Sequence, residues 1–136
     1  MVAVASHTAA FARILIAHPD VSPIPLVHTI TAPTAMQNLL PYVPRELGSG
    51  FYGHLWQVSA AIAAIFAAPA KPDAETDPLI SEPTLQPDEL AHRAVEHGDE
   101  HTIKVTEACL REDRIRSDPA YRAAAEAVLH RTPPLG

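Results

Sequence analysis

Apolar positions recur at helical spacing along most of the chain, and the strict alternation that marks a half-buried strand is missing. Residues 4–17 place Phe11, Ile14 and Leu15 on one face, and His18-Pro19-Asp20 ends the run. Two prolines within 21–27 predict an extended segment leading into His28. Pro33 then predicts the first turn of a helix over 33–40, with Met36, Leu39 and Leu40 facing inward and Pro41 closing it. Gly48-Ser49-Gly50 predicts a break before the most apolar stretch, residues 51–70. There Leu55, Val58, Ile62, Ile65 and Phe66 form one stripe, and Trp56, Ala60, Ala63 and Ala67 a second, the pattern of a helix buried in the core.

Residues 69–87 hold five prolines among acidic and small residues and predict a flexible Pro-rich loop that does not pack as an element. Pro87 opens a short helix that Gly98 ends, and Asp99 caps the next one. Ser117-Asp118-Pro119 starts a last helix containing Tyr121, Val128 and Leu129. No internal repeat and no heptad pattern stands out. The expected fold is all-α: one compact helical domain over 1–136, with five or six helices and the long loop at 69–87 within it.

Composition narrows the picture. Of 136 residues 47% are apolar, but 24 of these are alanine, which predicts close helix packing around a thin core and a chain that does not persist as a rigid monomer. The net charge of −6 with scattered basic residues excludes binding to nucleic acid by phosphate neutralisation, and no basic amphipathic stretch suits a membrane surface. Residues 51–70 lack Asp, Glu, Lys and Arg, yet Gly53, His54, Gln57, Ser59 and Pro69 argue for a core helix over a membrane span. No positive region precedes an apolar run at the start, so no signal peptide is expected. The single cysteine, Cys109, cannot form an internal disulfide; it fits a reducing cytoplasmic setting and the role of a small buried hydrophobe.

Candidate chemistry centres on residues 99–112. His101 and Lys104 lie one turn apart on a helical face that Val105 and Ala108 continue, while Ile103, Thr106 and Leu110 form a second weakly polar stripe, so this helix should be covered on two sides. A competing reading of Lys104 is a solvated ion pair with Glu100, four residues before it. Eight histidines, at 7, 18, 28, 54, 92, 97, 101 and 130, are many for this length, but no spacing among them is a zinc signature, so a metal site must be assembled from distant segments. His28 lies at a hinge where a side chain can be aimed into a cleft, with capping or packing as its competing role; a core histidine bonded to a backbone carbonyl is the competing reading of His101, and His54 opens the apolar helix. No GxGxxG, P-loop or serine nucleophile elbow occurs.

Four blocks, VHTITAPTAMQNLLPYVP at 27–44, LWQVSAAIAAIFA at 55–67, DEHTIKVTEACLRE at 99–112 and DPAYRAAAEAVL at 118–129, together resemble the questin oxidase-like family in order and spacing, over residues 8–130. The likeness is to the C-terminal portion of such proteins, which carry further helices and histidines upstream. The resemblance implies an oxidoreductase of secondary metabolism that cleaves or oxidises a ring of an anthraquinone-like aromatic polyketide. The family's reaction is described as Baeyer–Villiger-type and is associated with NADPH; some relatives are understood as non-haem iron dioxygenases whose metal is held by histidines and a carboxylated lysine. The positions carried over are His28, His101 and Lys104 as metal ligands, with His101 and Lys104 catalytic. A lysine desolvated among apolar neighbours favours its neutral form, the form that adds carbon dioxide, and the carbamate would supply an anionic oxygen donor.

With the upstream histidines absent, these residues form part of a coordination sphere, and the remainder is expected from a missing N-terminal half or a homo-oligomer partner. The alternative is a non-catalytic helical partner subunit or small-molecule-binding module derived from such an oxygenase. A third reading makes His101 the general base of a cofactor-free cyclase or isomerase.

Overall fold

The computed structural model describes residues 2–68 and 83–135. Six α-helices and one 3₁₀ turn account for the described elements, and no strand occurs among them: α1 (Val2–Ala17), α2 (Pro23–Leu39), the turn Leu40–Tyr42, α3 (Arg45–Phe66), α4 (Pro87–His97), α5 (Glu100–Ile115) and α6 (Pro119–Arg131). The all-α fold expected from the sequence is the fold observed. Helices α1, α2, α5 and α6 pack on one another around the core; α3 lies on the outer side of α2 and touches α1, and α4 lies against α5 and α6.

The core is built from few large side chains, with Leu15, Leu26, Ile30, Leu90, Val105, Tyr121 and Val128 fully enclosed, and from alanines that bring helices together, such as Ala12, Ala108, Ala120, Ala124 and Ala125. Some polar groups inside are paired across helices. Thr8 Oγ1 meets Tyr121 Oη at 3.2 Å, and His7 Nε2 meets Ser59 Oγ at 3.1 Å. Burial holds the His7 imidazole below its ordinary pKa. Arg131 on α6 donates to the carbonyls of Leu15, His18 and Val21, so one guanidinium fastens the end of α1 and the turn into α2. Cys109 is fully buried, as the small-hydrophobe reading requires, and burial raises its thiol pKa.

Three expectations about boundaries need correction. Residues 21–27 are not extended: α2 starts at Pro23, with Ser22 as N-cap. The first four N–H groups of a helix have no partner within it, so Pro23 and Pro25 forfeit no hydrogen bond there. Pro33 does not open a helix but lies buried inside α2, where it withholds the N–H that would reach the Thr29 carbonyl. Gly48-Ser49-Gly50 does not break the chain either, since α3 runs through it from Arg45.

The same helix overturns a fourth expectation. It is no core helix: Ser59 is its buried residue, while Leu47, Phe51, Trp56, Val58, Ile65 and Phe66 are each between 44% and 65% exposed. No helix among the described residues is long and apolar enough to cross a membrane.

The Pro-rich stretch lies for residues 69–82 outside the described residues. Its end is packed, contrary to expectation. Glu126 on α6 accepts from Thr84 N and Oγ1 at 3.1 and 2.9 Å and from Leu85 N at 2.6 Å, and Leu85 enters the core.

Candidate functional site

Helix α5 is set at its start by the Asp99 cap. Asp99 Oδ1 accepts from His101 N at 2.9 Å and Thr102 N at 3.0 Å, using two of the N–H groups that a helix start leaves unpaired. Burial pushes the Asp99 carboxyl up, but the hydrogen bonds from Thr102 and His101 outweigh it and leave the group below its ordinary range. From this anchored turn the His101 ring reaches α2, where it meets His28 edge to face with ring centroids 5.6 Å apart. His101 Nδ1 lies 3.8 Å from Asp99 Oδ1 and has no hydrogen bond among the described residues.

His28 also lines an open groove of about 440 Å³ between α2 and α5, together with Asn38, Lys104, Glu107 and Arg111 and a floor of Ala32, Ala35 and Ala108. The three residues singled out in the sequence therefore come to one place: His28 and Lys104 in the wall of the groove, His101 against His28. Their surroundings differ from the expectation in one decisive respect. The Lys104 side chain is 57% exposed and its Nζ donates to Glu100 Oε2 at 2.6 Å. The desolvation that would favour a neutral, carboxylatable amine is absent, and the solvated helical ion pair is what stands there. His54, at the surface, has its Nδ1 2.7 Å from the Gly50 carbonyl oxygen one turn back, and His97 Nε2 lies 2.9 Å from Thr132 O; neither points to the groove.

Imidazole nitrogens suit iron, but two of them leave a coordination sphere well short. Among the described residues no group of three or more His, Cys, Asp or Glu could hold a metal ion. The described residues therefore do not fit a whole iron site.

Two features were not singled out from the sequence. Glu112 is a fully buried carboxyl on α5; its Oε1 accepts from Gln37 Nε2 of α2 at 2.8 Å. Its signal was present, because Glu112 continues the face of Val105, Ala108 and Cys109 at helical spacing. The other is the cleft on the far side of α5, against α4, where Arg111 and Arg114 converge. A convergence of two helices leaves no local spacing to read.

Comparison of the chain with protein-family models, with curated proteins and with solved structures finds no match.

Proposed function

We propose that this chain is a component of an oxidoreductase of the questin oxidase-like type, acting on an aromatic polyketide, in which His28 and His101 are two nitrogen donors of an iron site completed by residues from another chain. The observation that carries this reading is the meeting of His28 and His101 at 5.6 Å on facing helices, with Lys104 in the wall of the same groove. Iron held there would supply oxygen activation. The chain's own residues present two imidazoles, an apolar alanine floor for a flat ring, and the Arg111 cation for a phenolate. Covering the groove with a second protein surface would also dehydrate Lys104, which is the condition its carboxylation requires.

The test is metal analysis after anaerobic reconstitution with ferrous iron under carbon dioxide, at protein concentrations high enough for self-association. Bound iron in the wild type, with tenfold or greater weakening in His28→Ala and His101→Ala, is the expected result. Wild type without iron, or variants that bind as well as wild type, overturns the reading. Participation of NADPH belongs to the same proposal and would appear as substrate-dependent loss of its near-ultraviolet absorbance.

A second reading, a non-catalytic helical partner subunit, is favoured by a different observation: the apolar outer stripe of α3, which no described element covers.

A further inference from the structure

Between α4 and α5, on the side of α5 away from the histidines, lies a cleft of about 280 Å³. Ala94, Ile103 and Leu110 make it apolar, and Thr106, Arg111 and Arg114 bring polar atoms into it. Thr106 is 2% exposed, and its Oγ1 has no hydrogen-bond partner among the described residues. Other helical threonines here do not leave their hydroxyls so: Thr29, Thr31 and Thr34 donate to the carbonyls of Leu26, Val27 and Ile30, and Thr102 donates to Asp99. A hydroxyl shut away unbonded is destabilising, and valine would fill the same volume without it.

A second donor shares the situation. Arg111 Nε is buried and unpartnered, although Nη1 and Nη2 of the same guanidinium hold Asn38 at 2.8 Å and Glu107 at 3.1 Å. Glu107 lines the cleft too, but that bond with Arg111 offsets its charge. Arg114 is in none of the ion pairs of the described residues. Two buried N–H and O–H donors and a nearby cation, set in apolar walls, are complementary to one chemistry: an anionic oxygen acceptor on a hydrophobic body.

We propose that the α4–α5 cleft is a binding site for a small amphipathic acid, an aromatic carboxylate of about bicyclic size, with its oxygens on Thr106 Oγ1 and the Arg111 and Arg114 guanidinium groups and its rings against Ala94, Ile103 and Leu110. The site lies on the other side of α5 from the histidine groove, shares Arg111 with it, and does not rest on the oxidoreductase reading. Arg111 stands in the wall between the two.

The experiment is a titration of the isotope-labelled full chain with 2-naphthoate and, in parallel, with the neutral 2-naphthalenemethanol, followed by amide chemical shifts. Saturable shifts confined to α4 and α5 are expected for the acid at micromolar to millimolar concentration, with the alcohol at least about fivefold weaker. Thr106→Val and Arg114→Gln should each weaken the acid about fivefold. Thr106→Val should melt no lower than wild type, which separates lost binding from lost folding. The proposal is overturned if the acid gives no saturable shifts in α4 and α5, if the alcohol binds as well, or if both variants bind the acid with wild-type affinity.

Discussion

Among single residues, Glu112 carries a consequence for pH. Burial raises its pKa above the ordinary 4.5, while Arg111 and the hydrogen bond from Gln37 lower it without cancelling the burial effect. A carboxyl with a raised folded-state pKa binds its proton more readily in the native chain than in the unfolded one. Its contribution is therefore fully present below the unfolded value and is lost as pH rises through the folded value. Glu112→Gln keeps the acceptor for Gln37 and removes the charge. It should leave stability unchanged below the unfolded value and raise it once pH exceeds the folded value. Urea unfolding across that range measures the difference, and parallel curves for wild type and variant would mean that Glu112 does not titrate in the core. Residue identities alone pointed to His101 and Lys104 and passed over Glu112. A spacing rule places all three on one helix but does not say which neighbouring helix covers which turn, and it is that cover which leaves Lys104 in solvent and Glu112 dry.

At the scale of elements, the joint between α4 and α5 was the most legible part of the chain, because its signals are local. Gly98 takes φ +78°, which only glycine adopts without strain. Asp99 then accepts the first N–H groups of α5. Where prolines were read as an extended segment or a helix start, at 23–27 and 33, and glycines as a break at 48–50, the chain is helical because their cost depends on position and tertiary cover. Prolines in a first turn cost little, and an interior Pro33 or Gly50 costs about 1–3 kcal/mol, which packing elsewhere on the helix can offset. Asp99→Ala should lower stability by about 1 kcal/mol, and Asp99→Asn by much less, since Asn also caps. The depressed Asp99 pKa adds a sign: its contribution is present above the ordinary 3.8 and is lost as pH falls through the folded value, so the deficit of Asp99→Ala should shrink in acid. Thermal melts of the three proteins at neutral and acidic pH check both statements. Equal melting of wild type and Asp99→Ala at neutral pH would remove the cap from the account.

Over the whole molecule, the thin alanine core and the outward stripe of α3 are two sides of one allocation of apolar residues. Because the Gly48–Gly50 segment continues the helix, Leu47 joins Phe51, His54, Val58, Ala61 and Ile65 in a 4-3 spacing, a seam that a break at Gly50 would hide. Arg45 and Glu46 are the only charged residues of α3, so no like charges oppose each other along the seam. Leu47, Gly50, Phe51 and His54 surround a hollow of about 240 Å³, the four-residue hole that receives a side chain in knobs-into-holes packing. A second copy laid antiparallel about residue 56 sets Phe51 against Ala61, Leu47 against Ile65 and His54 against Val58, large against small at the glycine-rich end. Four side chains of this size, each about half exposed, offer on the order of 400 Å². That is about half of what one partner contributes to a standard interface, so the pairing should be weak. Sedimentation equilibrium should show wild type passing from monomer to dimer over the micromolar to submillimolar range. Val58→Asp should stay monomeric throughout and melt within a few degrees of wild type, because Val58 is 57% exposed in the monomer. A wild type that remains monomeric to submillimolar concentration, or a Val58→Asp variant that dimerises equally well, would assign the stripe to some other surface than its own copy.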